Sequence, residues 1–437
     1  MGNYVENYDL IVKKWEPVLV TPAEETKRGI YFLSNVDEDE NLVRTIYCYH
    51  HKKTNDDDPS GVIKNALSKV LVHYHPLAGR LVTTTADEGR LAVDCTGEGV
   101  LFVEAEANCS MGSIDFSKPD AETRGKLVYE IPGVKSIFQI PPLMIQVTKF
   151  KCGGFVLGIS FNHVLADGQA AAEFIVSWAE TARGLPISVP PFLDRTILKA
   201  RTPPKIEFHH SEFDPIEDKS SAVNDFSNEE IMVYKYLKFT PQMIQTAKSK
   251  TTGLLTKPCS SYEALSAFVW RARTRALNTA PDQLTRILLV VNTRGRFEPP
   301  LPKGYFGNAI KFTPAHSLAA ELVQEPLSHA VVKIREAVRS VNDGVLRSTI
   351  DYCEATRAKR PRGCSTVTAT TWSSLSFSAT DFGWGEPVLS EPVEVPSDDT
   401  VVFLSHPTEK WSFNVFLALP ISAMDKFEEM VQEELCS

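Results

Sequence analysis

No two cysteines in this chain are spaced as Cys-x-x-Cys; the eight fall at 48, 95, 109, 152, 259, 353, 364 and 436. That scatter excludes the common zinc and redox motifs and fits free thiols better than a disulfide framework. Long apolar runs are also missing. None nears the roughly 20 residues of a membrane-crossing helix, so no span is expected. Positive charge is in deficit: Lys and Arg number 46 against 55 Asp and Glu, a net charge of -9. A nucleic-acid partner, which wants a basic face, is therefore not expected. The start, Met1-Gly-Asn-Tyr-Val-Glu-Asn7, lacks the basic and apolar regions of a secretory signal, and Gly2 lacks the serine or threonine that myristoylation wants. A cytoplasmic protein is the expectation, and Asn108-Cys-Ser110 then means little as a glycosylation site. There is no P-loop, no Gly-x-Gly-x-x-Gly after a strand and no Gly-x-Ser-x-Gly nucleophile elbow. His50-His51, His73-x-His75 and His209-His210 lack the carboxylates and spacing of a zinc motif, so no metal is expected.

What is present is an ordinary globular composition over 437 residues, 43% hydrophobic and 23% charged. That length implies two domains of about 200 residues each. Strand and helix patterns mix throughout, with no internal repeat. Strands are predicted at Thr45–Tyr49, Leu91–Asp94, Val100–Glu104, Leu143–Phe150 and Phe155–Phe161, the last two joined by Gly153-Gly154. Helices are predicted over Ser60–Tyr74 and Gln169–Arg183, the second stopped by Gly184. A stretch with Pro203-Pro204, His209-His210 and Pro215 reads as a linker. The expected division is a first domain over 1–195, a linker over 196–221 and a second domain over 222–437. In the second half Thr240-Pro241 starts a helix, and Ser260-Ser-Tyr-Glu263 is a capping box before another. Strands follow at Arg286–Asn292, Ser365–Trp372, Thr400–Leu404 and Ser412–Leu419, and Ser422–Leu435 closes the chain as an amphipathic helix.

Chemistry concentrates in Ser160-Phe-Asn-His-Val-Leu-Ala-Asp-Gly168. His163 follows a strand and precedes a loop and helix, and imidazole titrates where a general base should. Asp167 has two possible roles. It orients the imidazole, as in a hydrolase triad, or it turns away and pairs with an arginine that fixes the loop. Alternatively, His163 is a satisfied histidine at a strand end. Asp381-Phe-Gly-Trp-Gly385 reads as a tight turn with two permissive glycines, Gly383 and Gly385, and aromatic anchors in Phe382 and Trp384.

The two motifs together, His163-Val-Leu-Ala-Asp167-Gly168 and Asp381-Phe-Gly-Trp-Gly385, resemble those of the BAHD acyltransferases, the plant CoA-dependent acyl-transfer family. Tyr74-His-Pro-Leu-Ala-Gly-Arg80, Cys152-Gly-Gly154, Ser261-Tyr-Glu-Ala-Leu-Ser-Ala-Phe-Val-Trp270 and Gly304-Tyr-Phe-Gly-Asn308 extend the likeness over nearly the whole chain. The resemblance implies an α/β fold: two chloramphenicol-acetyltransferase-like domains with mixed sheets flanked by helices, joined by a long crossover, with a solvent channel between them. It implies that His163 is the general base, that acyl-CoA is a cosubstrate, and that no cofactor is permanently bound. Asp167 is then structural and pairs with Arg294, in Asn292-Thr-Arg-Gly-Arg296. Trp372 and Thr370 become candidates for stabilising the tetrahedral intermediate. Lys257, Ser260 and Ser261 become candidate CoA contacts. The Asp381 motif becomes a structural loop, and the enzyme a monomer.

Within the family, Gly29–Asp37, Val43–Cys48, Val103–Asn108, Pro302–Gly307 and Ile350–Arg357 resemble the feruloyl transferases acting on ω-hydroxy fatty acids and fatty alcohols in suberin synthesis. Met144, Phe161, Val164 and Leu165 would make the histidine's surroundings apolar, as an aromatic acyl group or aliphatic acceptor requires. Arg357 and Arg360 lie where shikimate- or quinate-using relatives present an arginine. Alternative acceptors are a specialised-metabolite alcohol or an amine. Two other readings are a non-catalytic ligand-binding relative and a hydrolase using water.

Overall fold

The computed structural model describes residues 9–37, 41–51, 57–84, 90–134, 136–217, 231–252, 255, 257–361 and 363–436. The N-terminal heptapeptide and the end of the expected linker, 218–221, lie outside the described residues. The chain forms two units. The first holds the residues up to Lys199 together with Leu301–Ala309 and Leu375–Glu394. The second holds Ala200–Pro300, Ile310–Ser374 and the residues from Val395 on.

In chain order the first unit contains β1 (Val12–Lys14), β2 (Val18–Val20), β3 (Ile30–Phe32), β4 (Leu42–Tyr49), α1 (Pro59–Val70), β5 (Arg80–Thr83), β6 (Leu91–Asp94), β7 (Val100–Ala107), α2 (Ala121–Gly125), β8 (Leu143–Lys149), β9 (Phe155–Asn162) and α3 (Gly168–Ala182). The second contains β10 (Met232–Phe239), α4 (Pro241–Ser249), α5 (Ser261–Ala276), β11 (Leu284–Asn292), β12 (Ile310–Leu318), α6 (Ala319–Gln324), α7 (Leu327–Ser340), α8 (Asp343–Thr356) and β13 (Thr366–Thr371). β14 (Leu389–Pro392) then returns to the first unit, and β15 (Thr400–Ser405), β16 (Phe413–Pro420) and α9 (Ile421–Leu435) complete the second.

The main sheet of the first unit runs β1-β7-β8-β9-β4-β14, with β2 also on β7; β7 and β8 are parallel and the other pairs antiparallel. All eight residues of β9 are buried, which is why it reads as a continuous apolar run. Beside it β3, β6 and β5 form a small antiparallel sheet. Trp178 of α3 is fully buried and donates its indole N–H to the Ile63 carbonyl of α1 at 3.0 Å.

The sheet of the second unit runs β10-β16-β15-β13-β11-β12, with β13 parallel to both neighbours. Alternate residues of these strands, Ile287, Leu289, Val401, Phe403, Val415 and Leu417, share one core with Leu265, Phe268 and Val269 of α5 and Met424, Phe427 and Val431 of α9. The opposite set, Val402, Leu404, Phe416 and Ala418, forms a separate cluster with Val395. This is the period-2 logic of a strand with two buried faces.

The division corrects the expected single cut, because the Asp381 motif belongs to the first unit. Antiparallel pairing of β14 with β4, Leu389 opposite Cys48 and Pro392 opposite Thr45, draws that segment in. A buried ion pair between Arg124 and Glu391 at 2.9 Å reinforces it. The described part of the expected linker beyond Lys199 belongs to the second unit. There the buried Asp351 accepts the backbone N–H groups of Arg201 and Lys205, each at 2.8 Å, and Ser348 Oγ accepts that of Glu207 at 3.0 Å.

Candidate active site

β9 ends at Asn162, and the chain turns before α3 begins at Gly168. Asn162 builds the turn: its side-chain oxygen accepts from Val164 N–H at 3.2 Å and its carbonyl from Leu165 N–H at 3.0 Å. Asp167 is the N-cap of α3, its Oδ1 accepting from Ala170 N–H at 3.0 Å. Its Oδ2 accepts from Ala309 N–H at 2.9 Å, which ties in the Leu301–Ala309 segment. Asp167 is buried, and His163 is half-buried. The Nδ1 of His163 is buried with no hydrogen-bond partner among the described residues. Asp167 therefore does not orient the imidazole, and the triad alternative falls. A Cβ at Gly168 would come within 2.8 Å of Leu375 Cδ1, the free end of a side chain that can turn aside.

The His163 turn is held from behind by three groups. Asn308 Nδ2 donates to the His163 carbonyl at 2.7 Å. Arg195 Nη1 donates to the Val164 carbonyl at 3.2 Å, and its Nη2 donates to the Leu165 carbonyl. Asp37 joins the two donors: Oδ2 lies 3.1 Å from Arg195 Nη1, and Oδ1 accepts from Asn308 N–H at 2.9 Å and Nδ2 at 3.0 Å. The Arg195 and Asp37 side chains are completely shielded from solvent. Burial opposes the guanidinium's charge, but Asp37 and the nearby phenols of Tyr31 and Tyr305 outweigh it, and the Arg195 pKa ends above the ordinary value. Tyr31 packs its ring 5.2 Å from the guanidinium, and burial pushes its phenol up to about 12.

The Asp381 loop folds on its own carboxylate. Oδ1 accepts from Gly383 N–H and Gly385 N–H, each at 2.7 Å, and Oδ2 lies 3.6 Å from Arg183 at the end of α3. Both glycines have positive φ, 112° and 91°. Phe382 meets Trp178 edge-on at 5.1 Å and Trp384 meets Phe155 at 5.3 Å, so the loop is built into the aromatic core behind β9 and α3.

The other expected site residues lie in the second unit. Arg294 follows β11, its N–H donating to Asn292 Oδ1 at 3.1 Å. Thr370 lies on β13, opposite Val402, and Trp372 packs against the Val402 and Phe416 cluster. Ser260 caps α5: Oγ accepts from Glu263 N–H at 3.1 Å, and Glu263 Oε2 accepts from Ser260 N–H at 2.7 Å. Arg335 pairs with Glu263 at 2.8 Å and donates to the carbonyls of Lys257 at 3.0 Å and Pro258 at 3.1 Å. Burial acts to raise the Glu263 pKa, but Arg335 and the Ser260 N–H hold it below the usual glutamate value. A carboxylate already occupies this helix start. Charge for a phosphate there must come from side chains, of which Lys257 is exposed. Among the described residues no three His, Cys, Asp or Glu gather as a metal site.

The Transferase family model matches residues 10–434 of the chain. The chain belongs to this family, the BAHD acyltransferases. This BAHD chain is 54% identical to an omega-hydroxypalmitate O-feruloyl transferase of Arabidopsis thaliana over 97% of its own length and 93% of the relative's. It is 49% identical to a fatty alcohol:caffeoyl-CoA acyltransferase of the same plant, over 97% and 98%. A shikimate O-hydroxycinnamoyltransferase of Nicotiana tabacum is 34% identical over 96% and 98%. Its fold matches the crystal structure of vinorine synthase with a TM-score of 0.78 at 22% identity, over 97% of this chain and 98% of that one. The chloramphenicol-acetyltransferase-like α/β fold and the acyltransferase class are thus those the motifs implied.

Sequence reading missed how the BAHD histidine is held. Asp37 and Asn308 appeared only as ends of quoted stretches, and Arg195 only as a boundary. A legible signal existed for Arg195: an arginine among apolar neighbours, in Phe192-Leu-Asp-Arg-Thr-Ile-Leu198.

Proposed function

We propose that this BAHD acyltransferase moves a hydroxycinnamoyl group, feruloyl in the first instance, from its CoA thioester to the hydroxyl of an ω-hydroxy fatty acid or fatty alcohol. The observation that carries this reading is the pair of relatives near half identity across almost the whole chain, both named for a hydroxycinnamoyl group and a long-chain hydroxylated acceptor. Phe161, Val164 and Leu165, neighbours of His163 in the chain, are buried, as is Met144 on β8, and this is consistent with apolar substrates.

In this reading acyl-CoA and acceptor are bound together. Because Nδ1 of His163 is buried, Nε2 is the nitrogen that takes the hydroxyl proton. The alkoxide attacks the thioester carbonyl, and the tetrahedral oxyanion needs placed donors. The indole N–H of Trp372 and the hydroxyl of Thr370 are assigned that task. Collapse expels the CoA thiolate, which recovers the proton from the imidazolium. No covalent acyl-enzyme is needed. Asp167, with its helix-capping and Ala309 contacts, is structural in this scheme, and Arg294 supplies its ionic partner. Lys257, Ser260 and Ser261 are the proposed CoA contacts. The enzyme is proposed to be a cytoplasmic monomer that forms an ester of the suberin type.

The test is a donor-by-acceptor matrix read by mass spectrometry. Feruloyl-, caffeoyl-, coumaroyl- and benzoyl-CoA are each offered ω-hydroxy acids, fatty alcohols, shikimate, quinate, amines or no acceptor. Long-chain hydroxylated acceptors with feruloyl-CoA should give the highest turnover. Preference for shikimate, quinate or an amine refutes the acceptor assignment. Rapid release of free acid without acceptor favours a hydrolase.

A further inference from the structure

We propose that Asp37, Arg195 and Asn308 are positioning residues that hold the His163 turn at its working geometry. This rests on the reading of His163 as the base. Three successive carbonyls, those of His163, Val164 and Leu165, each accept from a side chain of this group. Binding three successive carbonyls of one short turn by side chains from remote segments fixes the turn's orientation, not merely its presence. Asn308 is polarised in one sense only, since its Nδ2 sits between two acceptors, Asp37 Oδ1 at 3.0 Å and the His163 carbonyl at 2.7 Å. Asp37 is saturated by Ser34 N–H at 2.7 Å, the Asn308 donors and Arg195. Arg195 is anchored further by Nε to the Phe306 carbonyl at 3.0 Å.

A buried ion pair is a weak source of net stability, because desolvation offsets the attraction. It is well suited to fixing geometry, and misplacing a reacting group by about 1 Å costs on the order of 100-fold in rate. The same unit contains a comparator. Arg124 and Glu391 form a second buried pair, and Arg124 also donates to the Phe116 and Pro392 carbonyls, outside the His163 turn.

Asn308→Asp, Asn308→Ala, Asp37→Asn, Glu391→Gln and His163→Ala are purified and assayed with the best donor and acceptor from the matrix, alongside thermal melts. Asn308→Asp is nearly isosteric but sets a carboxyl against two acceptors. It should lower kcat by about 100-fold while KM for acyl-CoA stays near that of the parent. Asp37→Asn should lower kcat in the same way. Asn308→Ala should do so more mildly, and it decides the matter if the charged variant fails to fold. Glu391→Gln should lower the melting temperature and keep kcat. Parental kcat in both Asn308 variants overturns the clamp, as does an equal kcat loss in Glu391→Gln. An active His163→Ala overturns the base itself, whereas an inactive one beside fully active Asn308 variants overturns only the clamp.

Discussion

Replacing Asp381 by alanine separates a structural loop from a catalytic one. Its Oδ1 accepts two backbone N–H groups at 2.7 Å each. Hydrogen bonds to a charged group contribute about 1.5–3 kcal/mol apiece, with the lower end apt where water can replace the acceptor. The side chain is 26% exposed, and its ion pair with Arg183 is exposed by about a third on the arginine side, so that pair adds less than about 1 kcal/mol. The expected total is about 3 kcal/mol. For a unit of this size, each kcal/mol shifts the melting temperature by roughly 2–4 °C, giving a loss of about 6–12 °C. Asp381→Asn keeps the acceptor oxygen and should lose only about 1 kcal/mol, or roughly 2–4 °C. The assay is a thermal melt paired with turnover measured well below the transition, where Asp381→Ala should stay active because Phe382 and Trp384 still anchor the loop. A variant that melts with the parent yet loses turnover refutes the reasoning and places the loop in the chemistry.

Gly158, in the strand that leads to His163, cannot carry a side chain. A Cβ there would sit 2.1 Å from the Leu127 carbonyl oxygen, so Gly158→Ala should cost at least about 3 kcal/mol. Gly112→Ala, with nothing within 4 Å, should melt with the parent; equal melts for the two variants contradict this account. Burial tends to raise the Glu212 pKa, but His210 and Lys311 more than offset it, leaving it below its ordinary value of 4.5. A carboxyl depressed in the folded state stabilises above the unfolded value and loses that contribution as pH falls through the folded one. Chemical unfolding of Glu212→Gln should therefore show a flatter loss of stability below pH 4.5 than the parent, and parallel curves count against the assignment.

The elements beside the histidine were legible because their physics is local. The buried run of β9 is bounded by a Gly153-Gly154 turn, and α3 stops before Gly184, whose φ is 69°. β12 was missed because Pro314 interrupts its pattern. The structure tolerates that proline because β12 is an edge strand, with no ladder on its outer side among the described residues. α7 carries a usable signal in Leu327, Ala330, Val331 and Ile334, all buried at helical spacing, but its polar residues mask it. β14 has none: Leu-Ser-Glu-Pro becomes a strand only because Arg124 and β4 receive it. His163 and Asp167 were legible as a pair, but their separation was not readable from spacing. It depends on Ala309, 142 residues from Asp167. Asp37 and Asn308 are 271 residues apart, and no local pattern marks such a contact.

The central claim is that His163 is the base of a direct acyl transfer. The most direct measurement is kcat of purified, folded His163→Ala with feruloyl-CoA and an ω-hydroxy fatty acid. Loss of the base predicts a fall of about 10²–10⁴-fold with an unchanged melt. Turnover equal to that of the parent would contradict the account.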